Sequence, residues 1–447
     1  MATTTTAPAT TDSHHFRKLK LGGFVAVLYA YCAAGPFGFE DMISTSGPGM
    51  SLLFLIIVPW LFSLPMSLAT SEMATAMPVE GGFYRWTRAA FGDFPGYLCG
   101  FWNWSGTFLM NAAYAVILAD YCAQLRPALA HGWRHWAVAM FFLVVVAVVN
   151  ILGINIVGEV SAALLVIVLV PVAIFTVVAF MHAQGNPFVP LTPPGKPWRE
   201  VYGVGLALGL WLYSGYEQLS TITEEVDRPE RNFPLGLAIM VPLAMITFLL
   251  PIMAGIAASG PNWTRWTSGY IVNVAYEVGG IKMQWAMFAA AMLSVLLGLQ
   301  STLMSGARLP FTMAEDGYFH SSLTKLHSRF RTPVRGIVLS MVLCACLVIF
   351  SVPQLIAVYM WLRVSTSILT LLSVWRLRYT RPDMPRPFRI PGGHLGIAIT
   401  VLVPLTLFAW ALINGDKSAL FWGPACMAAG PLSYLVVRLS VRKIVNP

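Results

Sequence analysis

Charged residues are scarce in this chain. Only 11% of its 447 residues are charged, while 57% are hydrophobic and the mean hydropathy is +0.70. A soluble domain carries about 25% charged residues, so an ordinary soluble globular protein is excluded. The longest polar stretches are the tail 1–20 and the loops near 183–199, 314–333 and 376–394, none long enough for a separate soluble domain. Cysteine is sparse too. There are six (Cys32, Cys99, Cys122, Cys344, Cys346, Cys426), mostly in apolar runs and with no CxxC, so neither a disulfide framework nor a cysteine metal site is expected. The eight histidines lie in the tail, the loops or near helix ends. No cofactor is expected, and no metal. No HExxH and no Ser/His pair occurs in the apolar runs, so an enzyme is not expected. The N-terminus lacks a signal-peptide pattern. Its Thr-rich residues 1–20 read as a disordered cytoplasmic tail.

What is abundant is apolar length. Twelve apolar spans are expected, each near the 20 residues that cross a bilayer as helix: 21–47 (broken), 50–77, 95–123, 134–152, 157–182, 200–225 (broken), 233–259, 283–312, 334–351, 354–377, 395–414 and 418–440. The net charge of +9 is distributed by side. With the N-terminus inside, 20 of the 28 basic residues fall in inner segments and seven in outer ones, and Arg363 lies within a span. This bias places both termini in the cytoplasm, of a multi-pass protein of the plasma (inner) membrane. It makes the positive charge a topology signal, so no nucleic acid partner is expected. The bilayer is the partner.

Two spans are interrupted. In the first, Ala33, Ala34, Gly35, Pro36, Phe37 and Gly38 follow an apolar helix, and Glu40 and Asp41 come next. A broken helix is tolerated at membrane depth only where its backbone lines a cavity or is buried in protein, and acids there are functional by default. The alternative is a kinked helix whose two acids sit at the outer interface. In the sixth span, helix runs to Tyr213, Ser214-Gly215 interrupts it, and Glu217 follows. Spans one and six run in opposite directions. Interrupted segments at matching places in two inverted halves point to the binding site of a secondary transporter. The expected domains are therefore the tail, a first repeat over 21–182, a second over 200–377, and two appended helices over 395–440.

Half-helix ends in such a break offer N–H groups on one side and carbonyls on the other. This cradle suits an amino acid. Pro36 fits the first turn of a new half-helix but removes one donor, and Glu40, Asp41 and Glu217 would attract an ammonium and repel a carboxylate. Both facts tilt the site towards a cationic substrate. Glu217 reads as an ammonium ligand or proton carrier; the alternative is a buried, neutral hydrogen bonder.

At these residues the sequence resembles the amino acid–polyamine–organocation superfamily, over nearly the whole chain. The motifs are the broken first helix with Ser46-Gly47-Pro48, Glu72 ahead of the run from Pro78 to Trp86, Gly215-Tyr216-Glu217 with Thr223-Glu224-Glu225-Val226 and Pro229 to Pro234, and Arg308-Leu309 with Met313-Ala314-Glu315-Asp316-Gly317 and Thr332-Pro333. Gly35 to Asp41, with Trp102-Asn103-Trp104-Ser105-Gly106, Asn111, Tyr114 and Asp120, is most similar to the polyamine uptake branch. The resemblance implies an all-α membrane protein of LeuT-like fold, with a 5+5 inverted repeat, broken helices one and six and two extra helices. It implies alternating access, and a pocket between spans one, three, six, eight and ten. The sequence departs from many bacterial members in reading Ala33-Ala34-Gly35 at the first break, and span five holds no lysine to stand in for a sodium ion.

The expected substrate-binding set is Ala34, Gly35, Pro36, Phe37, Gly38, Glu40, Asp41, Asn111, Tyr114, Trp211, Tyr216 and Glu217, with Glu40, Asp41 and Glu217 as proton-coupling candidates. Trp211 stands where the superfamily puts an aromatic gate; packing alone is the alternative. Glu159 and Arg363 read as members of structural ion pairs, and Glu224 and Glu225 as members of an inner gate. The expected function is proton-coupled transport of polyamines or related organic cations, the alternative being an importer or exchanger of cationic or neutral amino acids.

Overall fold

In the computed structural model the described residues are 19–32, 35–79, 81–152, 156–216, 220, 226–330, 332–414 and 417–445. Among them every repeating element is helical, and the only β feature is an isolated parallel bridge between Leu19 and Val226. Eight helical segments are long and apolar enough to cross a membrane: Pro48–Ala76, Asp93–Leu125, Gly132–Ile151, Pro229–Arg265, Ile271–Glu315, Val352–Thr380, Gly393–Ile413 and Ala419–Arg438. Shorter apolar helices cover Val166–Met181, Val201–Leu212 and Val334–Leu347.

The first expected span is two pieces, α1 (Leu21–Cys32) and the single turn and a half of α2 (Asp41–Ser46). Gly47 then turns the chain with φ 88°, and Pro48 opens α3 (Pro48–Val58), where a missing N–H costs nothing. A π-helical turn over Pro59–Ser63 joins α3 to α4 (Leu64–Ala76). One helix escaped the hydropathy reading. It is α5 (Gly82–Phe91), an amphipathic segment that buries Phe83, Tyr84, Trp86 and Thr87 and leaves Arg85 and Arg88 towards its polar side. Its ten residues cannot span a bilayer.

Next come α6 (Asp93–Leu125), α7 (Gly132–Ile151) and α8 (Ile156–Met181). The sixth span yields α9 (Trp198–Leu212), and α10 (Pro229–Ser259) follows. The helix α11 (Ile271–Glu315) starts before its expected 283 and runs through a kink at Gly280, where φ is 66°. Then α12 (Val334–Leu347) precedes α13 (Val352–Thr380). Here Ser351 caps the helix and Gln354 reaches back to the Ser351 amide at 3.1 Å, which satisfies two end donors at once. The chain closes with α14 (Gly393–Ile413) and α15 (Lys417–Val445).

In the centre, α6 packs against both α11 and α13, while α8 packs against α10 and α11 and α1 against α8 and α10. Small residues set how close these helices come. A side chain at Gly298 would fall 2.9 Å from the Tyr114 ring, one at Gly306 2.7 Å from Thr107, and one at Gly106 3.3 Å from the Tyr359 ring. Water drives no association between helices in a membrane, so close packing of this kind carries it.

Candidate functional site

The first break is built by two glycines. Gly35 and Gly38 hold φ of 135° and 90°, values that a residue with a Cβ rarely adopts. Pro36 lies in the link between them; helix resumes only at Asp41, so Pro36 is not in the first turn of the new half-helix. The helix could not resume sooner because the two positive-φ residues throw the chain out of helical register.

Glu40 fastens this link. It is fully buried, and one carboxylate oxygen accepts the Gly38 amide at 2.9 Å while the other accepts the hydroxyl of Tyr121 on α6. Its neighbour Asp41 is half-buried, beside the Ser268 backbone and close to Asp120, which itself meets His135 of α7 at 2.8 Å. Among the described residues neither Glu40 nor Asp41 forms an ion pair.

The second break follows Leu212. The Ser214 amide and hydroxyl both bond the Trp211 carbonyl, at 3.1 and 2.8 Å, and Gly215 takes φ 115°. The breaks lie side by side: a side chain at Gly215 would stand 3.6 Å from the Cys32 sulfur. Long-range ties hold this register. Ser46 donates to the Val201 carbonyl at 2.6 Å, Ser63 to the Tyr213 carbonyl at 3.0 Å and Tyr213 to the Leu55 carbonyl at 2.9 Å, and the Asp227 amide bonds Leu19 at 2.9 Å.

A cavity of about 100 Å³ opens where the breaks meet. Its walls are Cys32, Gly35 and Phe37 from the first break; Trp102, Asn103, Gly106, Thr107, Met110 and Tyr114 from α6; Trp211, Leu212, Ser214 and Gly215 from the second; Ser294, Val295, Gly298 and Thr302 from α11; and Tyr359 and Arg363 from α13. That volume holds several waters or a small substrate. The lining follows helical spacing: 103, 106, 107, 110 and 114 form one face of α6, and 359 and 363 are one turn apart. Tyr114 and Trp211 face each other with ring centroids 6.3 Å apart.

The structure thus gathers Gly35, Phe37, Tyr114 and Trp211 on one cavity. Pro36, Gly38, Glu40 and Asp41 lie in or just beyond the link, off the cavity wall. Asn111 is fully buried beside Cys344 of α12, and Tyr216 is buried beside Tyr213. Ala34 and Glu217 lie outside the described residues, as do Glu224 and Glu225, and the Glu159 side chain is likewise not described. Arg363 is on the cavity wall and 3% exposed. The intramembrane-charge argument that singled out Glu217 applies to it equally. Trp102, Asn103, Thr107, Ser294, Thr302 and Tyr359 were not expected; the i, i+4 repeat of polar and small residues on α6 and α11 was the available signal.

Two ion clusters lie away from the cavity. Glu72 of α4 is fully buried and takes Arg378 of α13 at 2.8 and 2.5 Å, the Ile390 amide at 2.9 Å and Arg386 at 3.5 Å. Asp316, just past α11, accepts the Tyr84 hydroxyl at 2.7 Å and pairs with Arg88 at 3.3 Å and Arg85 at 3.6 Å. The motif around Pro78–Trp86 and the motif that contains Asp316 therefore meet in space. Tyr318, in the loop after them, has its hydroxyl pushed above the usual phenol range by burial and by its bond to Asp93.

Comparison with known proteins agrees with this architecture. The chain is 29% identical to a probable polyamine transporter of Arabidopsis thaliana, over 91% of its own length and 80% of the relative's. It is 26% identical to the polyamine transporter PUT1 of Oryza sativa subsp. japonica, over 89% and 74%. It is also 25% identical to the b(0,+)-type amino acid transporter 1 of Mus musculus, over 78% and 72%. These relatives are transporters, not enzymes. The family model described as amino acid permease matches residues 21–428, and the chain, a multi-pass membrane protein, belongs to that family within the amino acid–polyamine–organocation group.

Proposed function

We propose that the protein is a secondary active transporter that carries small ammonium-bearing substrates through this cavity by alternating access. Polyamines and related organic cations are the first reading. The observation that carries it is the cavity between the breaks, with the rings of Phe37, Tyr114 and Trp211 on its wall. An aromatic face attracts a desolvated ammonium by about 2 kcal/mol, and freed backbone groups at a break add carbonyl acceptors. The plant relatives named as polyamine transporters support the same class. Glu217, two residues past the cavity residue Gly215 in sequence, is the proposed ammonium ligand.

In this reading residues 21–182 and 200–377 are the two inverted repeats, with 395–440 appended. Both termini are cytoplasmic, and the membrane is the plasma (inner) membrane; the distribution of basic residues supports this. Proton coupling is assigned to Glu40, Asp41 and Glu217. Glu40 has a ready means. Its carboxylate accepts two hydrogen bonds that hold the link, from Gly38 and from Tyr121. A proton on the oxygen that meets Tyr121 lets that bond reverse, with Glu40 donating to the tyrosine oxygen, and a proton on either oxygen removes the charge that strengthens both bonds. Protonation then loosens the turn that borders the cavity.

The second reading is transport of cationic or neutral amino acids. Arg363 on the cavity wall favours it, because a guanidinium welcomes a carboxylate.

The test is uptake of labelled putrescine into proteoliposomes with the proton gradient imposed or collapsed, and with spermidine, arginine and leucine as competitors. Gradient-dependent uptake blocked by spermidine alone supports the polyamine reading. Arginine or leucine carried without putrescine supports the second. No uptake of any of them refutes both.

A further inference from the structure

The C-terminal end of α13 carries a groove that lies away from the cavity between the breaks. Its walls are Phe91, the last residue of α5, and Leu372, Trp375, Arg376, Tyr379 and Thr380 of α13. The five α13 residues fall at i, i+3, i+4, i+7 and i+8, which is one helical face, and they cover about 12 Å along the axis. The stripe runs from an aliphatic side chain through a tryptophan to a cation and two hydroxyls. A lipid presents acyl chain, interface and headgroup in the same order. The groove holds about 500 Å³, far more than one ion or a few waters fill. Arg376 is the charge in it. Its neighbour in sequence Arg378 turns inward and is taken by Glu72 at 2.8 Å. Arg376 is exposed and lies over the Phe91 ring, 5.0 Å from its centroid. A ring contact uses none of the five N–H donors of a guanidinium. Among the described residues no carboxylate stands within ion-pair reach of Arg376. Beside it Tyr379 is 59% exposed, with its hydroxyl 3.2 Å from Nδ1 of His394.

We propose that this groove binds one anionic glycerophospholipid, with its phosphodiester on Arg376 and an acyl chain along Trp375 and Leu372. The guanidinium fork can meet two phosphate oxygens at once. The apolar end of the groove shelters hydrocarbon that a free phosphate lacks. The loop that follows α13 adds Arg381 and Arg389 against the single acid Asp383. A zwitterionic headgroup would bring its own cation among these arginines, whereas a headgroup with net negative charge would not. Because Phe91 closes the groove from the other side, the lipid bridges α5 to α13. Only the leaflet rests on the orientation proposed above, which makes this the cytoplasmic side, where anionic lipids are found; binding in detergent does not depend on it.

The test titrates the purified full chain in detergent with dioleoylphosphatidylglycerol or dioleoylphosphatidylcholine and follows lipid adducts by native mass spectrometry. The two lipids share acyl chains and a phosphate and differ in net charge. The first phosphatidylglycerol adduct is expected at a concentration at least about tenfold below that for phosphatidylcholine. Arg376→Gln, at an exposed position that the fold does not need, should cut that preference by about fivefold or more, the effect of one basic residue at an anionic lipid surface. Arg134→Gln is the control. It removes another exposed arginine held over an aromatic ring, 6.0 Å from the centroid of Trp133 and outside the groove, and should leave the preference unchanged. Equal binding of the two lipids, an unchanged preference in Arg376→Gln, or the same loss in Arg134→Gln overturns the proposal. Displacement of the adduct by inorganic phosphate would assign the groove to a free anion and overturn it too.

Discussion

The bond between Glu40 and Tyr121 is the sharpest place to test how the first break is held. Glu40 is fully buried, and its two oxygens are used by the Gly38 amide and the Tyr121 hydroxyl. Removing the hydroxyl with Tyr121→Phe leaves one buried carboxylate oxygen without its donor, a loss of about 1–3 kcal/mol. Glu40→Gln keeps the shape and one acceptor. Its amide nitrogen can donate to the tyrosine oxygen, so a charge-assisted bond becomes a neutral one and the loss is about 1 kcal/mol. In the double variant the phenyl ring has nothing to offer either group, and the Gly38 amide still has its acceptor. The two losses should therefore not add. A double-mutant cycle on unfolding midpoints in detergent should give a coupling energy of about 1 kcal/mol. Additivity of the two losses to within about 0.3 kcal/mol would refute the bond, and with it the proposal that a proton on Glu40 loosens the link. Uptake measured on the same variants then separates stability from function: Glu40→Gln cannot change its charge, and it should abolish the dependence on a proton gradient if Glu40 is the coupling group.

Three further outcomes follow from the packing. Glu72→Gln removes the charge that holds Arg378 and Arg386 and should cost about 3–5 kcal/mol, read as loss of folded protein after detergent extraction; pairing it with Arg378→Met should recover part of the loss. Gly298→Val puts a branched side chain against the Tyr114 ring, where even a Cβ stands at 2.9 Å, and pushes that ring towards the cavity. Competition assays should show longer substrates losing at least about tenfold more affinity than shorter ones, about 1.4 kcal/mol. Asp316→Asn weakens the Tyr84 bond and both arginine pairs. The cluster is partly solvated, so a loss of about 1–2 kcal/mol is expected, and differential scanning at low and high salt should show a smaller loss at high salt.

Composition and local backbone chemistry could be read along the chain without its fold. Apolar length placed most helix ends within a few residues, as at 134–152 against Gly132–Ile151 and 354–377 against Val352–Thr380. Both breaks were legible because Gly35, Gly38 and Gly215 need conformations that other residues avoid, and Ser214 competes for the carbonyl of Trp211. The helix α5 was hidden because ten amphipathic residues leave no trace in a twenty-residue hydropathy window. The direction of each charge and ring came from the packing of the folded chain. Spacing within one helix says that Arg363 and Tyr359 share a face; only the placement of α6 and α11 against α13 says that this face borders the cavity. Likewise nothing near Glu40 in sequence announces Tyr121, 81 residues away, or pairs Glu72 with Arg378, 306 away. A buried charge must find a partner or a cavity, and the sequence states that demand. The packing of distant helices chooses which of the two it meets, because side-chain contacts across helices depend on rotation and approach, and those are set by the small residues at 106, 298 and 306 acting together.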